Sequence, residues 1–542
     1  SIGGSNGNYN ILNNGTIQNF TATPYAIARP VSNTTGTPSG AYQLINQGVG
    51  CGSLGGVVTG SVNATDNGKS QTCTQNSQSY GQISPSLRRI NATIHGTVNV
   101  SDQSQLVAMF NYSQVLSQTT GTPASIRAYS QSRAASTLTS YLPVLLPNGQ
   151  LNPNNPFAAQ GEEAQVIGTM PNLLQHTSEF SQNFRGSVRY SGFLNSNWGS
   201  DWNYDVNFVG MQTSLNQTIT GVPTISGLKA AIANGTYDFV NPEDTPQSVL
   251  NSIAPKNSIT ARSREYSGEA TLSKGLFKLP GGMARLAIGG NIRNEYINDP
   301  NANPYDLNNP DAQYTGSINP VSAYGHRWVE SGFFEVNAPI VKMLNANVSG
   351  RYDHYSEGFS HFSPKVGVQF KPLDQLTLRG TFSKGFRVPS FAETGGTTIG
   401  YTPFSVTNTA WLAEHQNANG TPNSYAQTYY LGLQNTGNPH LRPETSTNFS
   451  AGPVFTPTKW LTISATYYYI RKNNYITPNT NGYGTWANNW VNAYMTGGAA
   501  AAAASLPANV VIIANPVDTQ NPSGPPQPGI SSIIWSSNAC VS

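Results

Sequence analysis

The chain has 542 residues, enough for several ordinary domains or one large barrel, yet only 10% are Asp, Glu, Lys or Arg. Gly (53), Pro (36) and Tyr (27) are abundant, aromatic residues make up 10%, and the formal net charge is +3. That balance excludes a charge-rich soluble surface and a highly charged disordered chain, and without a Lys/Arg run it excludes nucleic acid as a partner. No apolar run is long enough for a transmembrane helix, which leaves strands, whose hydrophobicity hides in alternation.

In chain order, residues 1–90 read as an extracellular loop region. They open Ser1-Ile2-Gly3-Gly4 without a basic and apolar leader, so a signal peptide is expected to have been removed or to lie upstream. Cys51 and Cys73 lie in a Gly/Asn/Ser/Thr-rich stretch and are candidates for a loop disulfide, with two free thiols as the alternative; Cys540 has no obvious partner.

Residues 91–471 carry about twelve strand-like segments of roughly ten residues, the length that crosses a membrane at a tilt. Successive strand side chains point to opposite faces. In 344–353, Leu344, Ala346, Val348, Gly350 and Tyr352 fall on one face, and Asn345, Asn347, Ser349, Arg351 and Asp353 on the other. The same alternation marks 91–100, 183–192, 202–211 and 375–384, and more weakly 105–114, 265–274, 284–293, 363–371, 446–455 and 460–471. The segment 327–338 is strand-like with mixed faces. Connections alternate: short near 101–104, 193–201, 275–283, 339–343, 372–374 and 456–459, and mostly long at 115–182, 212–264, 294–326, 354–362 and 385–445. Transmembrane barrels have short periplasmic turns and long outer loops. A soluble sandwich, solenoid or adhesin would share the alternation but has no reason to place its long loops at every second connection. Residues 472–542 read as a loop region leading to further strands. Within it Ala499–Ala504 suits a short loop helix, and the Pro-rich 515–530 should be extended.

Two phrases carry a family resemblance. Ser363-Pro364-Lys365-Val366-Gly367, a strand, and Lys384-Gly385-Phe386-Arg387-Val388-Pro389 resemble a late hairpin of TonB-dependent receptors; Asn438-Pro439-His440-Leu441-Arg442-Pro443-Glu444-Thr445 is similar to the phrase that opens their next strand. Leu151-Asn152-Pro153-Asn154-Asn155-Pro156-Phe157 and Gly350-Arg351-Tyr352-Asp353 are also similar to family phrases. The resemblance implies an all-β, antiparallel transmembrane barrel of the bacterial outer membrane, about twelve of about 22 strands, with an N-terminal plug and terminal strands not found here. As a piece with two open edges it is expected not to transport. It further implies lipid around the barrel, a TonB complex reached through the plug, and active uptake of a scarce small-molecule nutrient: siderophore-iron, cobalamin or an oligosaccharide. A secreted adhesive β protein and a passive porin are the alternatives.

The motif residues Lys384, Gly385, Phe386, Arg387, Pro389, Asn438, Pro439, Leu441, Pro443 and Glu444 are expected to shape the barrel rim rather than touch ligand. In the long loop 385–445, the aromatics Phe391, Tyr401, Trp411, Tyr429 and Tyr430, with Phe404 and Tyr425, could stack on a ligand or pack the loop. Arg185, Arg189, Arg351 and Arg379 share the polar parity and should line the lumen, most simply facing a plug. No nucleophile, phosphate-loop or zinc motif is present, so no catalysis is expected. No metal or cofactor is expected either; His354 and His361 flank a short outer loop with Asp353 and Glu357 but read as solvated.

Overall fold

The computed structural model describes residues 26–33, 38, 40–45, 57–60, 71–74, 82, 84–126, 141–194, 202–303, 312–315, 318, 321–415, 424–426, 429–477, 482–515 and 528–536. Cys51 and Cys540 lie outside them, as does the Cys73 side chain, and with them the disulfide expectation.

All twelve expected segments are strands of one continuous antiparallel ladder. They are β1 (Ser86–Ser101), β2 (Ser104–Ile126), β3 (Glu163–Leu194), β4 (Trp202–Thr220), β5 (Asn257–Leu279), β6 (Gly282–Asp299), β7 (Val321–Val341), β8 (Leu344–Tyr355), β9 (Ser360–Leu373), β10 (Leu376–Arg387), β11 (Glu444–Thr458) and β12, which runs Leu461–Ser464 and resumes at Tyr467–Asn473. Each pairs with the next in sequence. Among the described residues β1 pairs only with β2, and β12 only with β11, so the ladder is open.

Most strands outrun the ten residues that periodicity marks; β2 has 23 and β3 has 32. The excess is physical. Ladder hydrogen bonds need only backbone, so pairing continues through polar stretches such as Ser117–Thr120 opposite His176–Glu179. Alternation appears only where one face meets lipid.

Register keeps the faces in phase from strand to strand. Even-numbered residues of β1–β10 share one face, and because Phe382 stands opposite Phe449, odd-numbered residues of β11 join it. This face is apolar and bare: Ile94 is 68% exposed, Phe208 61% and Tyr266 52%. Among the described residues neither a second sheet nor a helix covers it, whereas a soluble sandwich would bury such a face against a partner sheet. The mixed segment also resolves. Trp328, Gly332, Phe334 and Val336 of β7 lie in register with Asn294, Gly290, Ile288 and Leu286 on the apolar face. The odd Val329 is buried, and Phe333 lies under Arg351, 5.8 Å from its guanidinium.

Beyond the outer strand ends the long connections fold into two compact units. In the first, the strand Ile27–Val31 pairs with the outer end of β3, and helices α1 (Ile225–Asn234) and α2 (Gln247–Ile253) pack over them around Met170, Tyr237 and Phe239. Helix α1 starts where Thr224 accepts from the Gly227 N–H and stops at Gly235, whose φ of 62° suits glycine. The family-like phrase around Asn152 knits this unit. Asn154 donates to the Tyr237 carbonyl (3.1 Å) and accepts from the Phe239 N–H (2.7 Å), and Asn155 donates to the carbonyls of Leu142 and Glu162. These buried side chains satisfy backbone groups that no ladder reaches.

The second unit joins the described residues of 388–443 to those of 474–536. Its strands run in the order β7 tip, Thr397–Phe404, Tyr429–Thr436, Gly529–Ser536, Val510–Asn515. Helices α3 (Phe391–Gly395), α4 (Thr409–Glu414) and α5 (Tyr483–Ala504) accompany them. The span of α5 is two helices that meet at a kink at Gly498 (φ 71°, ψ −165°), and the expected six-alanine helix is the second of them. Ala487, Trp490 and Val491 have helical spacing and are buried with Trp411, Leu431, Ile533 and Trp535. Periodicity over Tyr483–Tyr494 would have shown the helix.

Candidate ligand-facing mouth

The polar face and the outer strand ends form a wall of paired charges. The four expected lumen arginines all have odd parity. Arg189 pairs with Asp205, beside a polar cavity of about 880 Å³ at the periplasmic end. Arg351 Nε donates to Asp353 Oδ1 (2.7 Å) and Nη2 to Ser331 Oγ (2.8 Å). Arg379 Nη2 donates to Thr466 Oγ1 (3.2 Å). Arg185 stands between Asn111 and Met211 in the register. Arg189 and Arg351 are neutralised by carboxylates, whereas Arg379 is held by a hydroxyl and keeps its charge.

At the mouth the two family phrases meet. Arg387, the last residue of β10, stands opposite Glu444, the first of β11. Its Nη2 and Nε donate to Glu444 Oε1 (3.0 Å) and Oε2 (3.1 Å). Its Nη1 and Nη2 also donate to Glu393 Oε2 and Oε1, both at 2.9 Å. The planar fork of arginine suits two carboxylates at once. Glu393 is placed by a capping box: Ser390 accepts from the Glu393 N–H, and the Glu393 carboxylate accepts from the Ser390 N–H. Burial pushes the Glu393 carboxyl up, but hydrogen bonds from Arg387 and Ser390 outweigh it and hold it below the ordinary range. Glu444 also accepts from the Ile476 N–H (2.9 Å), and the Asn438 N–H donates to the Glu393 carbonyl (2.8 Å). One guanidinium therefore ties β10, β11, α3 and residue 476 together.

A second hub lies beside it. Arg327 Nε donates to Glu295 Oε2 (2.7 Å), which Arg293 also meets, and Arg327 Nη1 donates to the Pro389 carbonyl (3.2 Å). Its guanidinium lies 4.6 Å from the Phe391 ring and 5.3 Å from that of Tyr355. The other motif residues serve the same rim. Phe386 meets His361 (4.7 Å between ring centres) and Tyr355, the Pro443 carbonyl accepts from Asn474, Leu441 is buried, and Asn438 turns the chain through the His440 N–H. Lys384 and Gly385 pair with Thr447 and Ser446.

The aromatic candidates separate. Phe391 sits at the rim over Arg327. Trp411 is fully buried in the second unit, its ring stacked on His415 at 4.3 Å, so a ligand cannot reach its face; Phe404 and Tyr425 are core as well. Tyr401, Tyr429 and Tyr430 lie on the two central strands, opposite Gly432, Phe404 and Pro403. His354 and His361 do not converge. His354 has the parity of the apolar face and meets Ser360, while His361 opposes Asp353 on the polar face. The reading from sequence missed Arg293, Glu295, Arg327 and Glu393. The S-x-x-E spacing of Ser390 and Glu393 was the legible signal; the others became visible only once register phased β7.

Comparison with known proteins agrees with this architecture. The family model described as TonB dependent receptor-like, beta-barrel matches residues 118–500. An iron-regulated outer membrane virulence protein of Vibrio cholerae serotype O1 is 27% identical over 212 residues, 38% of this chain and 25% of that protein. Among solved structures, the siderophore receptor PirA of Acinetobacter baumannii aligns with a TM-score of 0.45 and 14% identity, covering 86% of this chain and 51% of that one. The RagAB peptide transporter aligns with a TM-score of 0.42 and 11% identity, covering 74% and 42%. The matched segment thus spans about a quarter of the curated relative and about half of the PirA receptor. With the family model covering most of its length, the chain belongs to the TonB-dependent receptor β-barrel family, of the bacterial outer membrane.

Proposed function

We propose that this chain forms the membrane wall and outer crown of a receptor for active uptake of a scarce nutrient: siderophore-bound iron, cobalamin or an oligosaccharide. One observation carries the reading. The described residues of the outer connections form two folded units, and one of them is clamped to the barrel mouth by Arg387. A pore for passive diffusion gains nothing from such a crown, whereas capture of a dilute ligand needs loops held in one arrangement before binding. Phe391 at the rim, with Tyr401, Tyr429 and Tyr430 on the central strands of the second unit, are the proposed ligand contacts. Trp411 holds the core of the second unit. The inward arginines, two of them paired with carboxylates, would face a plug domain that links ligand capture to the TonB complex. The chain does no catalysis in this scheme.

The test is whole-cell binding and uptake by the full-length receptor in the outer membrane. Labelled ferric siderophores, cobalamin and oligosaccharides are offered in turn. The expected result is saturable surface capture of one class, with entry stopped when the proton-motive force is collapsed. Uptake that is unsaturable and indifferent to the proton-motive force would refute it.

A further inference from the structure

On β4–β8 the apolar face changes character row by row toward the outside. Register places Val206, Ala270, Gly290, Gly332 and Tyr352 in one row. The next row outward is Phe208, Gly268, Ile292, Glu330 and His354, and the next Gly210, Tyr266, Asn294 and Trp328. Above these aromatics come Gln212, Arg264, Tyr296 and His326, and then Ser214, Arg262, Asn298 and Tyr324. Tyr266 and Trp328 are about half exposed, as an interfacial girdle requires. Arg262, Arg264 and His326 stand immediately outside it. Among the described residues none of the three is ion-paired to a carboxylate, unlike Arg189, Arg327, Arg351 and Arg387 of the polar face. The Arg264 guanidinium is braced 4.4 Å from the Tyr296 ring. Glu330, the one carboxylate on these rows, is opposed by His354.

Beneath the girdle lies a groove of about 720 Å³, floored by Gly186, Gly210 and Gly268 and walled by Phe110, Phe208 and Trp328. It continues into a second of about 540 Å³ beside Gly290 and Gly332. Missing side chains on adjacent strands make the channel, and large rings make its banks.

We propose that this face holds one phosphorylated membrane lipid, its acyl chain in the groove and its phosphate against Arg262, Arg264 and His326. The inference rests on the outer-membrane placement, which puts the face in contact with lipid. Charge complementarity selects the occupant. The Arg262 and Arg264 guanidiniums at the headgroup level attract a phosphate, and a groove lined by rings and bare backbone accepts a hydrocarbon chain. A zwitterionic lipid would fill the groove but gain little from the cations.

The experiment uses the full-length receptor in dodecylmaltoside, titrated with dioleoyl phosphatidic acid, dioleoyl phosphatidylcholine or inorganic phosphate and read by native mass spectrometry. One phosphatidic acid should be retained per receptor, phosphatidylcholine far less, and inorganic phosphate should not displace the lipid. Removing both guanidinium charges in R262Q/R264Q should weaken retention roughly thirtyfold, while R262K/R264K keeps most of it. Heat-modifiable migration on gels confirms that each variant is folded. Equal retention of the two lipids, no loss in R262Q/R264Q, or displacement by inorganic phosphate would overturn the site. Bromine-labelled phosphatidylcholine bilayers separate this failure from failure of the membrane placement. The Trp328 contribution to fluorescence, taken as the difference from Trp328→Phe, is quenched if the face meets lipid, whatever the headgroup selectivity.

Discussion

Replacing Arg387 with alanine should release the second outer unit without unfolding the barrel. The substitution leaves two carboxylates facing each other, Glu444 with a side chain 9% exposed and Glu393 at 27%. Stranding one member of a fully buried pair costs about 3–5 kcal/mol. Arg387 itself is 45% exposed, so water screens part of that, and about 2 kcal/mol is the working figure. It acts locally. Strands β10 and β11 keep their register from Leu376 opposite Phe455 up to Phe386 opposite Thr445, but the clamp on α3 and residue 476 is lost. About 2 kcal/mol raises the open population roughly thirtyfold. Hydrogen exchange read by mass spectrometry should show that acceleration in 390–396 and 438–443, with 344–371 unchanged. Arg387→Lys should recover only part of the protection, because a point charge cannot bridge two carboxylates as a fork does. Exchange in 390–396 unchanged within twofold would refute the idea that this guanidinium locks the crown.

Other outcomes follow from the same geometry. Trp411→Ala empties a fully buried site and should destabilise the second unit by about 3–5 kcal/mol, lowering its proteolysis midpoint while the barrel still shows heat-modifiable migration. Phe382→Arg should cost about 2–4 kcal/mol in bilayer folding titrations and Thr381→Arg, one residue away on the polar face, far less; equal costs would mean that the faces are wrongly phased. Burial lowers the His415 pKa against the opposing pull of the Trp411 and Pro528 carbonyls. The unfolded form then binds the proton more tightly, so the second unit should lose stability as pH falls below about 6.5. His415→Phe should abolish that slope in exchange measurements. Glu393, held below the ordinary carboxylate range, adds stability that is full above about pH 4.3 and fades on further acidification; Glu393→Gln should flatten that acid limb.

The amino-acid sequence alone determined the membrane part of this protein. Segments such as 344–353 and 375–384 must present one greasy and one wet face, and all twelve segments are strands. That pattern is local, because lipid selects every second residue. The rim phrases were legible too, since Pro389 and Glu444 mark where strands leave pairing. Tertiary structure decided the rest. Strand length beyond the lipid depends on backbone pairing that leaves no periodicity. The phase of β7 depends on its neighbours, because the apolar Phe333 sits under Arg351 on the wet face. The contact of Arg387 with Glu444 spans 57 residues, and burial of Trp411 needs α5, far along the chain. Whether a loop aromatic meets ligand or core is set by partners brought from distant sequence, and no local pattern encodes that choice.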